Sequence, residues 1–432
     1  MFPNPQAALP LPTRPNLEQY KKLAKDLVKA CKSNEADAIG VWAAKWIDTL
    51  VRLAGLTITP QLPVHVETWA NQVAEFARRK MATLKGAEPA LADAQFVIAR
   101  SHGFESWPKF TKHLEAITRK SSPVLRFEAA ADAIVKGDIA TLERLLREEP
   151  ELIRARSTRE HRATLLHYIS ANGIEGYRQK TPKNAVQIAE LLLRAGAEVD
   201  AEADVYGGRA TTLGLVATSV HPDRADVQTE LMRILVDQGA VIDHPRGAGN
   251  DHRAVNGCLE NDRPQAAEFL AARGARLDLE GAAGVGRVDV VKSFFNEDGS
   301  LKSSVTKAQM QSGFIWACEY GRRDVVEFLL DKGVDLRAGE NTGETALHLA
   351  AHRGQLEMIK LLLDQGAPLE AKNVYGGTAL GQATWSVRRG DPAIDFVPVI
   401  KALLDAGARI EEADYPTGNK GVDEVLRRHR AN

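Results

Sequence analysis

The chain has 432 residues, 44% of them hydrophobic and 26% charged. This is ordinary globular composition, enough for two or three domains with a sizeable core, and it excludes a disordered chain. The formal net charge of −1 hides an asymmetry: residues 1–121 hold 17 Lys and Arg against 11 Asp and Glu, and residues 122–432 hold 39 against 46. A basic front joined to an acidic remainder implies either an anionic partner for the front or attraction between the halves. Apolar runs such as Leu191-Leu192-Leu193 fall far short of the roughly 18–20 residues of a membrane span. The Pro-rich segment Met1 to Pro15 lacks the apolar stretch of a secretory signal, so the expected location is cytoplasmic, with no membrane partner. Cys31, Cys258 and Cys318 are odd in number and scattered, and suggest neither a disulfide framework nor a zinc site.

In chain order, residues 1–15 read as a flexible segment and 16–121 as a helical domain of four or five helices. Asn16 with Gln19 is a candidate N-terminal cap. Leu17, Tyr20, Ala24, Leu27, Val28 and Cys31 then share one helix face. A second helix carries Trp42, Trp46, Leu50 and Leu53, and a third carries Trp69, Val73, Phe76 and Met81. Ala92 to Ser101 and Ser106 to Ile117 form a pair around Gly103-Phe104. Over fewer than 20 residues, Ile98 to Phe110 resembles the second half of an AraC-type helix-turn-helix. A recognition helix needs base-reading side chains on one side, and only Lys109, Lys112 and His113 are offered. A helical cap or dimerisation module is the expected role, with nucleic acid not the expected partner.

From about residue 122 a repeat dominates. An apolar triplet, two variable residues and a glycine recur, as Leu191-Leu192-Leu193 to Gly196, Ile234-Leu235-Val236 to Gly239, and Phe269-Leu270-Ala271 to Gly274. The same signature returns at Phe328-Leu329-Leu330 to Gly333, Leu361-Leu362-Leu363 to Gly366, and Ala402-Leu403-Leu404 to Gly407. The triplet reads as the buried face of a helix and the glycine as its left-handed cap. From Gly333 to Gly366 the period is 33 residues; from Gly274 to Gly333 it is 59, with a degenerate unit around Phe294-Phe295 and Gly299.

Thr345-Ala346-Leu347-His348-Leu349-Ala350-Ala351 followed by Leu361-Leu362-Leu363-x-x-Gly366-Ala367 closely resembles the ankyrin repeat, over roughly residues 125–432. The resemblance is to a bacterial-type ankyrin-repeat protein with a helical N-terminal domain. The fold class expected is all-α: an ankyrin-repeat solenoid of about eight helix-pair units (122–419) with a separate N-terminal helical domain and a C-terminal cap at 420–432. In that family paired antiparallel helices stack, hairpins project, and a concave groove holds a protein partner. The resemblance also implies that His167 and His348 are structural, bonding neighbouring backbone.

Three units are long, with insertions at Ile174 to Ala185, Ser219 to Arg224 and Arg388 to Phe396. Two share Val-Tyr-Gly-Gly, at 205–208 and 374–377, and carry Gly214 and Gly381 where the family has histidine. That opens space for a ligand or a loop, or marks different packing. The second and third units and their insertions concentrate polar and aromatic groups: Tyr168, Asn172, Glu175, Tyr177, Arg178, Lys180, Tyr206, Thr211, Thr212, Thr218, Ser219, His221 and Gln228. They are candidates for a binding surface, the alternative being that the loops brace one another.

No Walker, Rossmann, H-E-x-x-H or G-x-S-x-G motif occurs. Gly281 to Gly286 is glycine-rich but follows no predicted strand. His221, His244 and His252 with Asp243 and Asp251 match no standard ligand spacing. No cofactor and no metal are therefore expected. The function expected is a protein-interaction scaffold whose groove binds another protein through Tyr177, Arg178, Tyr206, Trp316, Tyr320 and Trp385. One alternative is an enzyme or small-molecule receptor with a pocket between the long second and third units, with His221, Glu175 and Tyr177 as acid–base groups. The other is DNA-linked regulation through the basic front domain.

Overall fold

The computed structural model describes residues 2–12, 14–33, 35–54, 62–84, 88–245, 253–390 and 393–431. They fall into two compact units, Met1–Asp251 and His252–Asn432.

The first unit begins with α1 (Leu17–Lys32), α2 (Ala38–Ala54), α3 (Leu62–Ala82), α4 (Leu91–Ser101) and α5 (Trp107–Ile117). Asn16 caps α1 by accepting from the Glu18 N–H. Tyr20, Leu27, Trp42, Trp46, Ile47, Val73, Ile98, Phe104 and Phe110 close one apolar core. Residues 2–12, expected to be flexible, lie packed on it. Leu9 is fully buried, its N–H donates to the Ser101 carbonyl at 2.8 Å and its carbonyl meets His102 Nδ1 at 3.0 Å. This segment also reaches the first repeats, where the Gly176 N–H donates to the Gln6 carbonyl at 2.8 Å.

α5 packs on α6 (Pro123–Lys136), which pairs with α7 (Ile139–Glu148). α6 packs in turn on the 3-10 helix Leu165–Ser170, and that on Thr212–Thr218; their partners, Ala185–Arg194 and Gln228–Asp237, pack on each other. The first compact unit therefore contains the N-terminal helices together with three helix pairs.

The second unit repeats the plan. Ala254–Glu260, Leu279–Gly284, Lys307–Glu319, Ala346–His352 and Ala379–Arg389 stack in sequence as a row of first helices. Each is followed by its second helix: Pro264–Ala272, Val288–Lys292, Arg323–Asp331, Leu356–Asp364 and Val397–Asp405. Lys420–Ala431 packs on the last of these. One ribbon of core runs through the stack from Leu279 to Leu426 rather than gathering at a centre. The described residues thus hold eight helix pairs. Each helix pair covers its apolar side only against its neighbours, as a linear array requires. The glycines at the ends of the six apolar triplets, Gly196, Gly239, Gly274, Gly333, Gly366 and Gly407, all have φ between 76° and 97°, the left-handed cap read from the sequence.

Candidate functional site

The two family-type histidines bind neighbouring units together. His167 Nδ1 accepts from the Thr164 N–H at 3.1 Å and Nε2 meets the Ala210 carbonyl at 3.2 Å. His348 does the same with Thr345 at 3.2 Å and Gly377 at 3.1 Å. Burial pushes both imidazoles below their usual range, His167 to about 4, so each sits neutral with one donor and one acceptor nitrogen.

The residues proposed around the insertions divide sharply. Tyr168, Glu175 and Thr212 are completely buried and Arg178 and Ser219 nearly so. They do not present a surface. Glu175 and Arg178 instead belong to an internal ion cluster. Arg159 Nη1 lies 2.7 Å from Glu128 and 3.0 Å from Glu175. Arg178 lies 2.8 Å from Glu128, 2.7 Å from Asp132 and 3.3 Å from Glu175, and the Tyr177 hydroxyl accepts from Arg159 at 3.2 Å. Burial alone would raise the Glu128 carboxyl, but the facing Arg159 and Arg178 outweigh it and hold it at about 2. The same two guanidiniums hold Glu175 well below the usual range against its burial. The insertion at 174–185 therefore braces α6 from inside. Ser219 caps its own turn, accepting from the His221 N–H at 3.3 Å, and Gln228 Nε2 donates to the Val216 carbonyl at 2.9 Å. Lys180 and Tyr206 are exposed and His221 half-buried; the Tyr206 hydroxyl donates to Asn172 Oδ1 at 2.6 Å. His252 and Asp251 lie outside the described residues. His244 faces Glu202 at 3.5 Å, and among the described residues no three His, Cys, Asp or Glu side chains converge to hold a metal.

The first-helix side of the second unit has a different character. Trp316 is half-buried beside the Glu340 carboxyl. Burial raises Glu340, and Glu344 and Glu260 add to the rise. Glu280 is raised by burial and then by Asp278, Glu260 and Glu340. Carboxylates from successive pairs and their connecting turns therefore act on Glu280 and Glu340, and the Trp316 indole hydrogen-bonds the second of these. Beyond them Tyr320 is already committed. Its hydroxyl donates to the Leu259 carbonyl at 2.8 Å, and the Arg353 guanidinium lies over its ring at 5.4 Å while pairing with Glu319 at 2.8 Å and with Asp262. Trp385 is 44% exposed and leans on His352 at 5.8 Å. His352 Nδ1 is held by Ser386 at 2.8 Å.

The ankyrin repeats (3 copies) family matches residues 279–373 and 314–414. The chain carries ankyrin repeats over residues 279–414. No curated protein matches it. Among solved structures, the crystal structure of the human ASB11 ankyrin repeat domain aligns with 65% of this chain and 99% of that chain at 22% identity, with a TM-score of 0.33.

The ankyrin frame explains what sequence reasoning missed. Val374 and Tyr375, 66% and 82% exposed, sit at a projecting turn in the second Val-Tyr-Gly-Gly, the signature that also placed Tyr206. Glu280 and Glu340 were missed because acidic residues in a first helix or its turn look like solvated charge until stacking brings them together. The glycine-rich Gly281 to Gly286 serves packing: a Cβ on Gly284 would meet Leu259 Cδ1 at 2.5 Å. At Gly381 the room left by the missing histidine is taken by Asp414, whose Oδ1 lies 3.4 Å from the added Cβ position and accepts from Thr384 at 3.1 Å. In the resembled helix-turn-helix segment His113 is buried and meets Thr158 at 2.7 Å, so it is not free to read bases. No helix among the described residues is long and apolar enough to cross a membrane.

Proposed function

We propose that this chain is a protein-interaction scaffold and that the first-helix face of the second unit, Trp316 with Glu260, Glu280, Glu340 and Glu344, receives a basic segment of a partner protein. Ankyrin repeats are generally protein–protein interaction modules, which supplies the class. The observation that carries the finer reading is that Glu280, half-buried, and Glu340, beside the indole of Trp316, are both raised by desolvation and by neighbouring carboxylates. Their charge is under-compensated in the free protein, and a lysine or arginine side chain stacked on the indole would relieve it. Trp385 and Tyr375 extend the surface as exposed aromatic anchors of the kind that dominate interfaces. Of the anchors read from the sequence, Trp316 and Trp385 stay in this proposal, and Tyr206 lies in the first unit, outside it. Arg178, Tyr177 and Tyr320 are engaged internally.

Pull-downs from the protein's own cell lysate would compare wild type, Trp316→Ala, and the double variant Glu280→Gln with Glu340→Gln. A partner retained by wild type and lost by both variants supports the reading. Identical partner sets for all three overturn it.

A further inference from the structure

A second surface lies in the first unit, between α1 and α2. The two helices leave a half-open groove of about 740 Å³, within the few hundred to about 1,000 Å³ typical of binding clefts. Its lining runs along α1 from Gln19 to Ala30 and along α2 from Ala38 to Leu53. At about 1.5 Å per residue this is close to 20 Å of groove, or three to four helical turns. Leu23, Trp42, Trp46 and Leu50 supply an apolar floor. Val41 and Leu53 stand on the rim, 67% and 43% exposed; these large apolar side chains are left uncovered by the described residues.

The rim is charged in one dominant sense. α1 carries five lysines against Glu18 and Asp26. Lys21 is paired with Glu18 and Lys32 with Glu88. Lys22 and Lys29 on α1 and Lys45 on α2 line the groove, are exposed and form no ion pair with any described residue. Asp26 and Glu35 also line it but leave the lysines in excess. The aromatic rings are not waiting for a ligand of their own: Trp42 Nε1 donates to the Leu23 carbonyl at 3.1 Å and its ring tilts against Trp46 at 5.3 Å. The floor is thus a finished apolar bed with a cationic border.

We infer that this groove docks an acidic amphipathic helix from a partner protein, its apolar stripe on Leu23, Val41 and Leu53 above the nearly buried indoles of Trp42 and Trp46, and its flanking carboxylates on Lys22, Lys29 and Lys45. The length suits a helix of about fourteen residues, the floor suits the helix-in-groove mode, and the border selects the sign of its charge. This site is independent of the acidic face of the second unit and selects the opposite partner charge.

The test uses the full chain and two labelled 16-residue helical peptides with one shared apolar face, one flanked by Glu and the other by Lys. Fluorescence anisotropy should show the Glu peptide binding and the Lys peptide at least about tenfold weaker, with Lys45→Glu narrowing or reversing that preference. Val41→Glu, a change at an exposed position, should weaken the Glu peptide by about tenfold or more while far-UV circular dichroism stays unchanged. Binding of neither peptide, equal binding of both, or binding indifferent to Val41→Glu overturns the inference. So does a wild-type dimer that Val41→Glu dissociates, which would make the occupant a second copy, or saturation by palmitate in place of peptide, which would make it a lipid.

Discussion

His167 reaches across to the next repeat, its Nε2 3.2 Å from the carbonyl of Ala210, 43 residues later in the chain. The contact works only for a neutral imidazole, because Nδ1 must accept from Thr164 while Nε2 donates. Burial holds the folded-state value at about 4, below the roughly 6.5 of an unfolded histidine. The unfolded chain therefore binds the extra proton first, and stability present above about pH 6.5 is lost as pH falls toward 4. At pH 5 the loss assignable to His167 is about 2 kcal/mol. Urea denaturation at pH 7.5 and at pH 5 should show His167→Asn less stable than wild type at the higher pH but with a shallower pH dependence. An unchanged dependence would show that His167 is not the titrating group. Burial likewise lowers His102 to about 3 and His113 to about 4, so some acid sensitivity should persist in the variant.

Glu175 is fully buried between Arg159 and Arg178. Removing it leaves two buried guanidiniums short of a counter-charge, a change that typically costs about 3–5 kcal/mol. Glu175→Ala should therefore destabilise the first unit by that amount, seen as faster amide exchange in α6 and in 174–185. Exchange in the second unit should stay as in wild type. Partner capture by the second unit should also survive, which separates a brace from a binding residue. Loss of capture with unchanged exchange would restore Glu175 to the interface.

Gly313 marks a close approach in the row of first helices. A Cβ there would lie 2.8 Å from Leu279 Cδ2, 3.2 Å from Ala283 Cβ and 3.4 Å from Glu280 Cα. The leucine tip can turn aside, but the backbone at Glu280 and the Ala283 methyl cannot. Gly313→Ala should cost about 1–3 kcal/mol by overpacking and should displace Glu280, weakening partner capture along with stability. Thermal unfolding of the variant and the same pull-down would check both halves.

The repeat was legible because it is local: apolar triplets and the capping glycine lie within six residues, and the histidine clasp follows from a short motif. The ion cluster was not. Glu128, Arg159 and Arg178 are separated by up to 50 positions, and each alone looks like an ordinary surface charge, so Glu175 and Arg178 were read as loop surface. The segment at residues 2–12 was opaque for another reason. Its prolines suppress any periodic pattern, and only the stacking of Leu9 under Ser101 and His102 shows that it is tied down. On the acidic face, Trp316 could be picked out by residue type, whereas its carboxylate neighbours emerge only when Glu280 and Glu340 are brought together.

Those carboxylates make a prediction that a plain charged patch would not. Burial and mutual repulsion raise Glu280 and Glu340 above the ordinary carboxylate range. A bound cation would lower them again, so binding of a basic segment must release protons wherever the free carboxyls are still partly protonated. Affinity for an arginine-rich peptide should therefore rise from about pH 5 to about pH 7 and then level off, the sign opposite to that expected if binding needed a protonated carboxyl. Calorimetry at pH 5.5 in two buffers of different ionisation enthalpy would count the protons released. Glu280→Gln with Glu340→Gln should abolish most of that release as well as weaken binding. Raising salt should weaken the wild type, because Glu340 is exposed to the screening ions. An affinity that is flat across this range, with no buffer dependence, would show that Glu280 and Glu340 do not meet the peptide's charge.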